Sequence, residues 1–214
     1  MFQTKQDYRI NNFPDGLSCV FESWFDVITQ YEEQTHGDAI YWYNERANIG
    51  AFAAALARNS IQKNISVIEE YSCMKGKGAD KGLGRADLSF CYRNQWYLVE
   101  SKIKWLSLTP KGRSLENINS EACKDAVRSW EQATWTMPLG MTFVVPSIQP
   151  KYKKQITECV KDIIKRIEEV GSSFDFWAYC APGRLRELQS AKHKNYYPMV
   201  FLLANVVRRP VLTQ

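Results

Sequence analysis

The order of its predicted elements assigns this chain to the α/β class. Three observations carry that prediction. Two alternating polar–apolar segments are joined by a dipeptide turn, an alanine-rich helical stretch precedes them, and a second helical stretch followed by a continuous apolar run comes after. With 214 residues, 45% of them hydrophobic and 13% aromatic, the chain is long enough for one domain with a substantial core.

Residues 1–40 read as an N-terminal helical segment. In the helix that follows, Glu45, Ile49, Phe52 and Leu56 fall at i, i+4, i+7 and i+11, one stripe of residues 43–58. Its alanines suit close packing against a sheet. A carboxylate on a core-facing stripe is costly unless partnered, which makes Glu45 a candidate site residue. Asn44 can cap this helix, so Glu45 can equally be a first-turn acid favoured by the helix dipole. Residues 65–71 read as the first strand. Residues 74–84, rich in Gly and Lys, read as a basic loop that either closes on a nucleic-acid backbone or simply joins two strands. The Gly-Lys-Ser/Thr ending of a phosphate-binding P-loop is missing from it.

Residues 85–92 and 95–105 form the two arms of a β-hairpin if Arg93-Asn94 is a two-residue turn. That register sets Asp87 opposite Glu100 and Arg85 opposite Lys102. Leu88 then meets Val99, and Phe90 meets Tyr97, on the other face. A three-residue loop would instead set Asp87 opposite Ser101. Side chains directly opposite lie about 5 Å apart, and like charges there destabilise the pair. Two such carboxylates raise one another's pKa unless a cation sits between them, and a hard divalent cation suits oxygen ligands. Ordinary charges on a solvated hairpin face are the plainer alternative, although Asp is disfavoured in the middle of a strand.

A second helix over residues 120–135 and a buried strand over 141–146 complete this part of the chain. Beyond it, residues 151–170 read as a helix and residues 174–180 and 197–204 as strands. Gly183-Arg184-Leu185-Arg186 and the run from Lys192 to Tyr197 interleave basic and aromatic side chains, either as a strand-contact surface or with the aromatics in the core.

Asp87, with Glu100-Ser101-Lys102 on the next strand, resembles the PD-(D/E)XK signature of restriction-endonuclease-like nucleases. Ala86 stands where that family has Pro. The order helix, three strands, helix, strand is the family's core order, and the resemblance covers roughly residues 40–148. It implies a restriction-endonuclease-like αβββαβ core, a central mixed sheet flanked by helices. Residues 41–150 would be the catalytic core and residues 151–214 a C-terminal helix-strand-strand elaboration. The implied activity is metal-dependent endonuclease hydrolysis of phosphodiester bonds, with DNA ranked ahead of RNA. Asp87, Glu100 and Lys102 would be catalytic. Glu45, Asp87, Glu100 and the Ser101 carbonyl would hold Mg²⁺, for which Mn²⁺ can substitute, with Glu70 as the substitute for Glu45. The Gln-Xaa-Xaa-Xaa-Tyr motif of the family's exonuclease branch is not met, because Gln132 is followed by Thr136. Cutting both strands of a duplex takes two sites, so a homodimer is the expected assembly.

Net charge is +5 and uneven: residues 1–45 carry −6, residues 75–113 carry +6 and residues 151–214 carry +6. This distribution suits a polyanion. Lys75, Lys77, Lys81, Arg85, Lys104, Lys111 and Arg113 are the candidate nucleic-acid contacts. Six scattered cysteines and two histidines (His36, His193) form no zinc pattern, and His193 within Lys192-His193-Lys194 is either a surface residue or a phosphate contact. With no apolar leader and no membrane-length apolar run, the expectation is a reduced, cytoplasmic protein with no membrane partner. The rival classes are a non-catalytic nucleic-acid-binding module on a nuclease-like fold and a protein-interaction component of a phage or defence system.

Overall fold

The computed structural model describes residues 4–14, 16–75, 82–108, 115, 117–130, 136–186, 188–190 and 194–208. In chain order the elements are β1 (Lys5–Ile10), α1 (Ser18–Gln34), a 3₁₀ turn (Ile40–Trp42), α2 (Glu45–Arg58) and the one-turn α3 (Ser60–Lys63). Then come β2 (Ser66–Lys75), β3 (Gly82–Tyr92), β4 (Gln95–Ser107), α4 (Ser120–Trp130) and β5 (Thr136–Ser147). The chain closes with α5 (Ile156–Val170), β6 (Phe176–Ala181) and β7 (Val200–Val206). The strands form one seven-stranded sheet in the order β1-β6-β7-β5-β4-β3-β2. Among the described strands only β4 and β5 pair in parallel, through twelve residue pairs, and α4 lies in the crossover that a parallel connection needs. The sheet is therefore mixed, with helices on both faces.

Two packed clusters cover the two faces. Leu88, Phe90, Tyr97, Val99 and Phe143 meet Phe21 and Trp24 of α1 and Phe52 and Leu56 of α2. On the opposite face Val144, Trp177 and Phe201 meet Val160, Ile163 and Ile167 of α5. The stripe of α2 behaves as its spacing predicts, with Ile49, Phe52 and Leu56 all buried.

The N-terminal segment is not purely helical. Lys5–Ile10 is an edge strand paired antiparallel with β6. Six mostly exposed residues carry too little periodicity to announce a strand, and the open edge of the fully buried β6 recruits them. The C-terminal elaboration is likewise part of the central sheet, since β7 pairs with both β5 and β6. Residues 150–155 form a 3₁₀ turn rather than the first turns of α5, with Pro150 at its start. The α4 helix is described only to Trp130, and Gln132 and Trp135 lie outside the described residues.

Arg93 and Asn94 both adopt left-handed backbone, with φ of 51° and 63°, the requirement of a type I′ hairpin turn. The pairs Tyr92–Gln95, Phe90–Tyr97 and Leu88–Val99 follow in the expected register. There the β3–β4 ladder stops, one step short of an Asp87–Glu100 pair. On the other side of β3, Glu69 pairs with Leu88 and Tyr71 with Ala86, but Glu70, at φ 51°, is skipped. Asp87 thus sits where the β4 ladder ends and the β2 ladder skips a step.

Gly140 seats α4 on the sheet: a Cβ there would lie 2.5 Å from the backbone nitrogen of Cys123 and 2.7 Å from its Cα. Helix backbone cannot yield as a side chain can. Gly140→Ala is therefore expected to destabilise the fold by about 1–3 kcal/mol. Urea unfolding monitored by circular dichroism checks this, and an unchanged midpoint would contradict it.

Candidate active site

Alternation along β4 directs Glu100, Lys102 and Lys104 toward α4, and Ser101 and Ile103 toward α2. On α4, residues Glu121, Asp125 and Ser129 recur every four positions. Two residues of strand advance about 6.6 Å and four residues of helix about 6 Å, so the two rows keep step. Lys104 pairs with Glu121, and Lys102 Nζ lies 3.0 Å from Asp125 Oδ2. Ser129 Oγ donates to Glu100 Oε1 at 2.5 Å.

The α2 side is built from backbone that β3 abandons. Where β3 diverges, the Ser101 and Ile103 N–H groups lose the partners a continued ladder would supply. Carboxylates take their place. Asp87 Oδ2 accepts from the Ser101 N–H at 2.7 Å and from Ser101 Oγ at 3.0 Å. Glu45 Oε2 accepts from the Ile103 N–H at 3.2 Å. Asn44 does cap α2, its Oδ1 accepting from Ala47 N–H at 3.0 Å, and Glu45 is the first-turn acid. The first-turn reading of Glu45 describes its position: the cap aims the first turn, and the first turn aims the carboxylate at β4.

Glu45, Asp87, Glu69 and Glu70 line a cavity of about 230 Å³, together with Arg46, Ile49 and Ser101. Glu70 is held by Arg46 and by Arg85, 2.8 Å away. Asp87 Oδ1 and Glu45 Oε1 make no hydrogen bond among the described residues, so each has an oxygen to offer. Burial pushes the Glu45 carboxyl above its usual range; Lys102 pulls it back, Asp87 pushes it up, the Ile103 N–H lowers it and Glu100 raises it again, for a net rise. Burial alone would lower the Lys102 amine, but its bond to Asp125 and the charges of Glu45, Asp125 and Asp87 outweigh that, and its pKa is raised. Lys102 is therefore a fixed cation at neutral pH and not a base.

The expected carboxylate pair across the hairpin does not form. Glu100 is buried against α4, and among the described residues no three His, Cys, Asp or Glu side chains gather closely enough to hold a metal. The reason is the early end of the ladder combined with the match between β4 and α4. The Ser101 carbonyl, the expected backbone ligand, accepts from Lys102 Nζ at 2.9 Å. Of the expected nucleic-acid contacts, Arg85 is engaged with Glu70 and Lys104 with Glu121. Lys75 lies at the end of β2, but its side chain, like all of Lys77, Lys81, Lys111, Arg113 and His193, lies outside the described residues. Sequence reasoning missed Asp125, Ser129, Glu69 and the Ser101 hydroxyl. The four-residue spacing of Glu121, Asp125 and Ser129, facing the two-residue spacing of Glu100, Lys102 and Lys104, was the available signal.

The donors are hard oxygens, two of them open, in a small acidic cavity. This fits Mg²⁺ or Mn²⁺, since Mg²⁺ typically takes one or two carboxylates and keeps several waters. Glu45 also makes a stability prediction. Its folded pKa is raised, so its contribution favours folding below the ordinary carboxylate pKa and is lost as pH rises through the folded value. Glu45→Gln should raise the thermal midpoint at neutral pH by on the order of 1–3 °C, and the difference should vanish near pH 4. Differential scanning calorimetry at the two pH values reads this directly. A variant less stable than wild type at neutral pH would refute it.

Comparison with protein-family models, with curated proteins and with solved structures returns no match.

Proposed function

We propose that this chain is a metal-dependent phosphodiesterase acting on DNA, built on the restriction-endonuclease-like plan that its hairpin resembles. The observation that carries this reading is the pair of carboxylates, Glu45 and Asp87, sharing one small acidic cavity within electrostatic reach of the cationic Lys102 on the α4 side of β4. The element order α2-β2-β3-β4-α4-β5, with its parallel β4–β5 pair, supports it.

Glu45 and Asp87 would hold Mg²⁺ or Mn²⁺, with Glu69 and Glu70 as further acidic wall. The bound ion supplies charge neutralisation at the scissile phosphate and a lowered pKa for water. The chain's own groups do the rest. The Ser101 N–H and hydroxyl fix the Asp87 carboxylate, and the Ile103 N–H fixes Glu45, as partners behind a metal ligand typically do. Lys102, anchored by Asp125, stabilises negative charge developing on the phosphate. Glu100 acts from the far side of β4, where its charge still reaches Glu45. Cutting a duplex through both strands would take two copies of the chain.

One observation favours a non-catalytic nucleic-acid-binding role: the lack of a three-acid cluster among the described residues. A nicking assay separates the two. With supercoiled plasmid and single-stranded DNA, in Mg²⁺ or Mn²⁺, wild type should cut, and Asp87→Ala and Lys102→Ala should each be slower by about 100-fold or more. Wild-type protein that binds DNA in a salt-sensitive way but cuts with neither metal, or Asp87→Ala that cuts as well as wild type, would sink the phosphodiesterase reading.

A further inference from the structure

We propose that the groove adjoining the acidic cavity binds unpaired nucleobases, so that the DNA strand being cut is single-stranded where it enters the site. The proposal takes its position from the phosphodiesterase reading and its ligand from the groove's own chemistry. The groove is a cavity of about 1170 Å³ running from Asn44 at the start of α2, past Ile103 and Trp105 of β4, to Tyr197. It continues both walls of the acidic cavity. Asn44 precedes Glu45, Ile103 lies two residues beyond Ser101, and the Glu45–Ile103 hydrogen bond is the seam between them. Trp105 stands about 13 Å along β4 from Ser101, the reach of a short run of nucleotides.

The groove offers aromatic faces held from behind. Trp105 is 45% exposed, and Tyr197 meets its ring edge-on at a centroid distance of 5.3 Å and an interplanar angle of 71°. The Tyr197 carbonyl in turn accepts from Trp42 Nε1 at 3.2 Å and from the Tyr41 hydroxyl at 3.0 Å. Tyr43, 48% exposed, stands on the same wall. Rings of this kind take any base by stacking.

Amide groups stand ready for base edges. Asn44 spends its oxygen on the helix cap, which leaves its NH₂ to donate. Gln189 donates to the Lys194 carbonyl at 2.9 Å, which leaves its own oxygen to accept. Hydrogen bonding to unstacked base edges together with aromatic stacking is how single strands are recognised.

Charge argues against a duplex on this wall. The one charged side chain lining the groove among the described residues is Asp38, and the Tyr43 hydroxyl occupies it. A duplex presents phosphates, which need cations. Lys194 is exposed and adjoins the groove residue Asn195, so a backbone phosphate of a strand whose bases lie inside has a cation in the neighbouring residue.

The test is fluorescence anisotropy with a 5′-labelled single-stranded DNA and the same sequence as a blunt duplex, in EDTA so that nothing is cut. Wild type should bind the single strand more tightly. Trp105→Ala should weaken that binding roughly 10- to 100-fold and duplex binding by about twofold or less, while Trp105→Phe keeps most of the affinity. Tyr43→Ala, at an exposed ring, should weaken it in the same direction and stands in if Trp105→Ala fails to fold. Single-strand affinity unchanged by the alanine variant, or a wild-type preference for the blunt duplex, overturns the proposal. Binding in EDTA is independent of cleavage. Trp105-dependent binding by a protein that cuts neither plasmid nor single-stranded DNA would sink the phosphodiesterase reading alone, whereas cutting with Trp105-independent binding would sink the groove alone.

Discussion

The site depends on a two-residue turn. Arg93 and Asn94 in left-handed backbone set the register of β3 against β4, and a slip of one residue would exchange the two faces of β4. Glu100 and Lys102 would then turn toward α2, and Ser101 and Ile103 toward α4. With the register as it is, β4 can serve two helices at once. Its even residues interlock with α4, and its odd N–H groups, freed where β3 departs, take the carboxylates brought by β3 and α2.

That division explains how several charges can lie close to a buried sheet. Each carboxylate at the divergence accepts hydrogen bonds from backbone or hydroxyl groups, and Lys102, paired with Asp125 on the α4 side, adds a cation whose charge reaches them. What is left over, among the described residues, is one oxygen on Asp87 and one on Glu45 without a hydrogen bond. The left-handed backbone at Glu70, a residue with a side chain to accommodate, lies beside the same cavity. Strain of that kind tends to gather where geometry serves chemistry.

Much of this was legible in the sequence. A dipeptide turn between alternating arms specified the pairs Leu88–Val99 and Phe90–Tyr97, and the i, i+4, i+7, i+11 stripe placed Glu45 at the base of α2. These are local signals, readable within a dozen residues. The Asp87–Glu100 pair went astray by one step, because pairing arithmetic assumes that a ladder continues. Where it ends depends on Glu70 in a different strand and on α4, more than twenty residues downstream of Glu100. The role of β1 was out of reach for the same reason: nothing in Lys5–Ile10 encodes the edge of β6.

The pairing of β1 with β6 also orders the way the chain assembles. Lys5 meets Ala181 across most of the chain's length, whereas the hairpin closes over two residues and α2 reaches the β2–β4 strands from the adjacent segment. Loop-closure entropy delays the first kind of contact and hardly touches the second. The acidic cavity can therefore take shape early, on a sheet whose β5 edge still waits for β7. Until β6 and β7 arrive, the apolar strand β5 offers an open edge to other chains, so crowded synthesis is the moment at which this protein is most exposed to misassembly.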